Sequence, residues 1–246
     1  MSTVGLANTA FLTGSQKEVC YIFGGGPSLR RLDWDKLLWV DKFIIAVNRA
    51  YEKLPSADIV YFSDYRFWMR HRASLLLHQG LKVTVAKELL KSVESGDIVR
   101  DDLDSTSVHA ALWANPANHQ QLHYHRITGT DGLDTTTGCL RSGNNSAYAA
   151  LNLAVNLGFK KIYLLGVDMR FDEHGRSHWH NGYPEHNRES TYEKMAPYFS
   201  TAAAACALLG VRVFNASPLS TLTCFPKVSI EDALAGRETS IQQEAA

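Results

Sequence analysis

No sign of charge predominates in this chain of 246 residues: 25 Lys and Arg stand against 25 Asp and Glu, a formal net charge of zero. Proteins that gather nucleic acid or anionic membrane along a broad surface carry a basic excess, so neither partner is expected, although a local basic patch survives such an average. Cysteine is scarce. Cys20, Cys139, Cys206 and Cys224 are far apart and form no C-x-x-C pair, which argues against zinc or disulfide frameworks. Cys20 and Cys206 lie in apolar runs and read as reduced core thiols. No uninterrupted apolar stretch approaches bilayer length, so no integral membrane segment is expected. The first residues, 1–16, are polar and lack the apolar core of a signal peptide, and a soluble, cytoplasmic protein is the expectation. Internal repeats, coiled-coil heptads and low-complexity linkers are also missing.

What is present is enough apolar residue for a real core: 45% of the chain is hydrophobic and 20% charged. Five apolar runs read as strands: Val19–Phe23, Lys42–Val47, Asp58–Phe62, Lys161–Leu165 and Val211–Phe214, with a weaker sixth at Lys82–Ala86. Most are continuous rather than alternating, as strands buried on both faces should be. Helical patterns fill the intervals at Leu29–Val40, Tyr65–His78, Asn145–Leu157 and Tyr192–Leu209, the last two stopping before Gly158 and Gly210. Strands alternating with helices predict an α/β fold: a single Rossmann-like domain over 18–230 with a mostly parallel sheet. An N-terminal extension (1–17) and a C-terminal tail (231–246) flank it. The polar segment 101–137, with His109, His119, His123 and His125, breaks the rhythm and is expected to form a lid or insertion, its histidines decorating a polar surface rather than binding metal.

In open parallel sheets, ligands occupy the crevice beyond the carboxyl ends of the strands. Gly24–Gly26, Asn48, Asp64, Asp168 and Asn215 all follow expected strands. Glycines between a buried strand and a helix start let backbone N–H groups approach an anion, or else serve a tight turn; Gly24, Gly26 and Leu29 do not complete G-x-G-x-x-G. Asn48 suits ligand contact or an Asx turn. Asp168 could accept ribose hydroxyls, hold Mg²⁺, or cap the next turn. The run Asp172–His186 contains His174, His178, His180 and His186. It reads as an acceptor loop carrying a histidine base, as a metal site, or as a solvated loop with incidental histidines. An imidazole suits base chemistry because its ordinary pKa, about 6.5, lies near operating pH. Metal binding finds no H-E-x-x-H or C-x-x-C spacing to support it. Trp113, Trp179 and Tyr183 could stack on a base or sugar, though burial is the commoner fate of such rings.

Taken in order, Gly24-Gly-Gly-Pro-Ser-Leu29, Val47-Asn48-Arg49, Arg141-Ser-Gly143, the run Leu157–Met169, a His-rich segment and Val213-Phe-Asn-Ala-Ser-Pro218 resemble bacterial CMP-sialic-acid-dependent sialyltransferases. The chain is also similar to the related family that includes flagellin-modifying glycosyltransferases and archaeal hydroxymethyldihydropterin diphosphokinases. The resemblance implies that Gly24, Gly25, Gly26, Pro27 and Ser28 wrap the nucleotide phosphate and ribose, with Asn48, Ser142 and Gly143 facing the donor. Gly166 and Asp168 would hold the ribose and cytosine side. His186 takes the place of the family's general base, with His180 and His178 as competitors. Two positions depart from the pattern: Gly25 stands where those enzymes usually have Asn, and Arg170 where they have a leaving-group-stabilising tyrosine. The activity so implied is transfer of a sugar from a nucleotide-sugar donor to a hydroxyl acceptor, with no metal required. The alternatives are a Mg²⁺-dependent diphosphokinase using Asp168 or Asp64, or a nucleotide-binding assembly module. A homo-oligomer is open.

Overall fold

A computed structural model describes residues 18–34, 42–87, 99–100, 122–181 and 189–239. Val19–Phe23 (β1), Phe43–Val47 (β2), Ile59–Phe62 (β3) and Leu81–Thr84 (β4) are followed by Val99–Arg100 (β5), Leu122–Tyr124 (β6), Arg126–Gly129 (β7) and Cys139–Arg141 (β8). Lys161–Leu165 (β9) and Arg212–Asn215 (β10) complete the strands. Eight of them form one sheet in the order β10-β9-β1-β2-β3-β4-β6-β5, every pairing parallel, while β7 and β8 form a separate pair. The chain builds outward from β1 through β2, β3 and β4, then returns to lay β9 and β10 on the other side of β1. The strand order therefore reverses between β1 and β9.

Both faces of the sheet are covered, which explains the unbroken apolar runs. Successive side chains point to opposite faces. Cys20 and Ile22 join the core beneath Ser146–Asn156 (α2) and Glu189–Leu208 (α3), whereas Tyr21 and Phe23 join the core on the side of Tyr65–Leu77 (α1) and Ile230–Leu234 (α4). α2 shows how local sequence sets an element. Its N-cap Asn145 accepts hydrogen bonds from the N–H groups of Ala147 and Tyr148, its interior is rich in helix-favouring Ala and Leu, and Gly158 beyond its end takes φ 91. No helix among the described residues is long and apolar enough to cross a membrane.

Two expectations are corrected. The helix expected from Leu29 is, where described, a 3₁₀ turn over Pro27–Arg31 that ends as Leu32 returns to extended backbone. Within this turn the Leu29 side chain is fully buried and fills the space beside Gly166, where an added Cβ would lie 2.4 Å from its Cδ1. The second concerns the histidines of the segment 101–137. Its residues 122–124 form β6, between β4 and β5 in the main sheet. His123 and His125, expected on a polar surface, are 1% and 0% exposed. The polar composition of the segment gives no sign of this burial; His109 and His119 lie outside the described residues.

Candidate functional site

The turns after β1 and β9 are fastened to each other. Gly24 N–H donates to the Leu165 carbonyl at 2.8 Å and Gly26 N–H to the Gly166 carbonyl at 2.8 Å. A Cβ on Gly24 would lie 2.4 Å from the Gly166 oxygen, and one on Gly26 would lie 2.2 Å from Asp168 Oδ2. Close approach, not unusual φ, is what demands glycine at both positions. Asp168 Oδ2 accepts the Ser28 N–H at 2.8 Å, so the carboxylate secures the glycine turn. Its second oxygen, Oδ1, is buried and makes no hydrogen bond. Burial pushes the Asp168 carboxyl above its ordinary range, with the Ser28 N–H acting in opposition. An orphaned carboxylate oxygen inside a protein is costly unless something supplies a donor.

This joint forms the floor of a cleft of about 380 Å³ beyond the carboxyl ends of β1, β2, β3 and β9. Of the residues expected at a site, Gly24, Gly25, Gly26, Asn48, Asp64, Gly166, Asp168, Arg170, His178 and His180 line it. Pro27 and Ser28 are buried behind the turn. Ser142 and Gly143 do not line it either. Gly143 takes φ 49 with the Tyr148 ring 2.4 Å from where a Cβ would sit, and its N–H donates to the Thr130 carbonyl, a packing role. The neighbours Asn144, Asn145 and Ser146 face the cleft in their place. Three non-glycine residues among those described have left-handed backbone, Asn48 (φ 52), Asn144 (φ 53) and Met169 (φ 54), and all three line this cleft. Such conformations are uncommon outside glycine and concentrate where a chain must aim groups at a ligand.

The walls are basic. Arg49, Arg66, Arg70 and Arg170 contribute to the lining, against the carboxylates of Asp64 and Asp168. Asp64 is engaged twice: it caps α1 by accepting the Arg66 N–H at 2.8 Å, and its carboxylate pairs with the Arg66 guanidinium at 3.0 Å. Arg170 is exposed, its Nε donating to the Phe171 carbonyl at 3.2 Å. The role of Arg49, Arg66 and Arg70 escapes a motif-by-motif reading. Their signal is spacing: Arg66 and Arg70 are four apart on a helix that begins at a strand end, and Arg49 directly follows Asn48.

The histidine loop closes one side. Trp179 N–H donates to the Gly25 carbonyl at 3.0 Å, Arg30 Nη1 donates to the Trp179 carbonyl at 2.9 Å, and the indoles of Trp34 and Trp179 pack 5.8 Å apart. Trp179 thus serves packing. A Cβ on Gly25 would meet His178 Cδ2 at 2.9 Å, which accounts for the small residue there. The His178 and His180 rings stack at 5.2 Å. Burial lowers the His178 pKa to about 4; burial, with Arg49 and His178 adding to it, lowers that of His180 to about 3. Both imidazoles are therefore neutral near neutral pH. His186, Tyr183 and Trp113 lie outside the described residues. Among the described residues, no three His, Cys, Asp or Glu side chains cluster as a metal site would require. No protein-family model, curated protein or solved structure matches the chain.

Proposed function

We propose that the cleft binds a nucleotide and that the protein is a glycosyltransferase, moving a sugar from a nucleotide donor, of the CMP-linked acidic class, to a hydroxyl acceptor. The observation that carries this reading is the buried, unpartnered Asp168 Oδ1 beneath an arginine-lined cleft at the reversal of strand order. That oxygen accepts hydrogen bonds, and ribose hydroxyls or a base amino group donate them. The surrounding guanidinium groups and the N-terminal end of α2 suit the phosphate.

In the transfer, the bond between the sugar carbon and the donor phosphate oxygen breaks. The acceptor oxygen forms the new bond to that carbon and loses its proton to a histidine. The departing nucleoside monophosphate gathers negative charge, which arginine neutralises where the sialyltransferases use a tyrosine hydroxyl. Neutral imidazole is the protonation state a base needs, and an anion within about 4–6 Å of it favours the imidazolium, raising its pKa from the low resting value.

The Mg²⁺-dependent diphosphokinase reading draws less support from the same residues. A phosphate-bridging Mg²⁺ needs carboxylate oxygens, yet Asp64 is committed to Arg66 and Asp168 keeps a single unpartnered oxygen. Of the two cleft carboxylates, that leaves the buried Oδ1 of Asp168 to hold such an ion, with phosphate and water completing its shell. A purely binding or assembly role is distinguished by turnover.

The test is release of CMP from a CMP-linked acidic sugar, with and without chelator. Chelator-resistant CMP release, lost in Asp168→Asn, supports the transferase. Pyrophosphate transfer from ATP that requires Mg²⁺ would replace it, and donor binding without CMP release would leave a binding module.

A further inference from the structure

The cleft contains a second polar assembly that starts at Asn48. Its left-handed backbone (φ 52) turns the end of β2 into a 3₁₀ turn over Asn48–Glu52. Side chains three apart in a 3₁₀ turn eclipse one another, and this places Glu52 directly beside Arg49. Arg49 Nε donates to Glu52 Oε1 and Nη2 to Glu52 Oε2, both at 2.7 Å, so the guanidinium plane is held at two points. Behind Glu52, His71 Nδ1 lies 3.7 Å from Oε1 and 3.2 Å from the Tyr51 hydroxyl. The third guanidinium nitrogen, Nη1, stands 3.4 Å from Nδ1 of His180, and both residues line the cleft.

Arginine can only donate. His180 Nδ1 must then be the acceptor, and in a neutral imidazole the proton resides on the other nitrogen, Nε2. The same arginine is a standing charge against protonation of Nδ1. His180 is thereby unsuited to remove a proton and suited to give a hydrogen bond. His178 Nδ1 meets a different partner, the Ser177 hydroxyl at 2.7 Å, which donates or accepts.

We propose that Arg49 and His180 form a preset anion-binding pair, braced by Glu52, in which His180 donates through Nε2–H to a phosphate oxygen of the ligand instead of acting as the base. Arg49 and His180 touch the anion; Glu52 is a positioning residue. This rests on the nucleotide reading of the cleft and specifies which groups meet the phosphate. It also removes His180 from the candidates for proton abstraction; the other described histidine lining the cleft is His178.

The test uses the full chain labelled with nitrogen-15 histidine, whose long-range proton–nitrogen correlations report which ring nitrogen carries the proton. Near neutral pH, His180 is expected as the Nε2–H form, becoming a mixture in Arg49→Met. Inorganic pyrophosphate and CMP should each shift the Nε2–H resonance, whereas cytidine should not. Arg49→Met should weaken CMP binding about tenfold or more, as loss of a charge-assisted hydrogen bond does, with cytidine binding unchanged. Glu52→Gln keeps the volume and should give a smaller loss in the same direction, which secures the test if Arg49→Met fails to fold. A His180 protonated on Nδ1 would overturn the pair, as would an Arg49→Met or Glu52→Gln protein that binds CMP like the unaltered chain. Pyrophosphate binding without CMP binding would sink the nucleotide reading and leave the pair standing. A correct tautomer with no response to either anion would overturn the pair's role.

Discussion

The Ser28 backbone N–H donates to Asp168 Oδ2 at 2.8 Å, joining two turns that lie 140 positions apart in the sequence. One carboxylate thus secures the glycine turn, while its other oxygen, buried in a residue that lines the cleft, makes no hydrogen bond. The structural duty and the proposed binding duty separate by substitution. Asp168→Asn keeps an acceptor for Ser28 while removing a buried charge, so the fold should survive and nucleotide binding should weaken. Asp168→Ala strands the Ser28 N–H and should lower unfolding free energy by about 1–3 kcal/mol in urea titration. Equal stability of the Ala and Asn proteins would remove the structural duty from the account.

Gly25 and His178 occupy one space. Gly25→Ala should displace the imidazole, because the new Cβ would lie 2.9 Å from His178 Cδ2. The cost should vanish once His178 is also Ala. A double-mutant cycle read by denaturant midpoint is expected to give coupling of at least about 0.5 kcal/mol. Simple additivity would show that the two do not meet.

Asn152 is buried in the middle of α2, and both ends of its amide are occupied. Oδ1 accepts the N–H groups of Asp134 (2.9 Å) and Arg141 (2.8 Å), and Nδ2 donates to the Asp134 carbonyl at 2.9 Å. It therefore pins the β7–β8 segment to the helix. Asn152→Leu leaves two backbone donors without partners, and about 3 kcal/mol of stability should be lost. A loss below roughly 1 kcal/mol would mean that the segment repacks around the change.

Stability should fall on mild acidification. Burial, with His123 adding to it, holds the His125 pKa down at about 4, while in the unfolded chain it is about 6.5. The unfolded state then binds more protons between those values. The contribution is intact above about 6.5 and lost as pH falls, by roughly 3 kcal/mol near pH 4. His178 and His180 act in the same sense, their pKa values being lowered to about 4 and about 3. Urea midpoints measured from pH 7 to pH 5 should decline, and less steeply in His125→Leu. A flat profile would contradict the burial of His125 as a neutral ring.

The sheet was readable because its strands are covered on both faces: Val19–Phe23 and Lys161–Leu165 stand out as unbroken apolar runs and recur with the expected bounds. The cleft was readable for a related reason, since the residues after those strands have little choice but to share one edge. β6 was hidden, because Leu122–Tyr124 is only three residues long and sits in a polar segment, with no apolar run to announce the burial of His123. Ser142 and Gly143 look like a helix entry facing a ligand, yet Gly143 answers to the Tyr148 ring, which no local pattern reveals. Arg49 was visible only as part of a motif. Its bracing by Glu52 depends on the left-handed Asn48 that converts the strand end into a 3₁₀ turn.

The most direct measurement is calorimetric titration of the protein with CMP, UMP, GDP and ATP, each with and without Mg²⁺, repeated on Asp168→Asn. The account predicts CMP binding that is independent of Mg²⁺ and lost with the Asp168 carboxylate. Binding of ATP alone, and only with Mg²⁺, would contradict the transferase. No binding of any of the four would mean that Asp168 and the glycine turn are joined for structure alone.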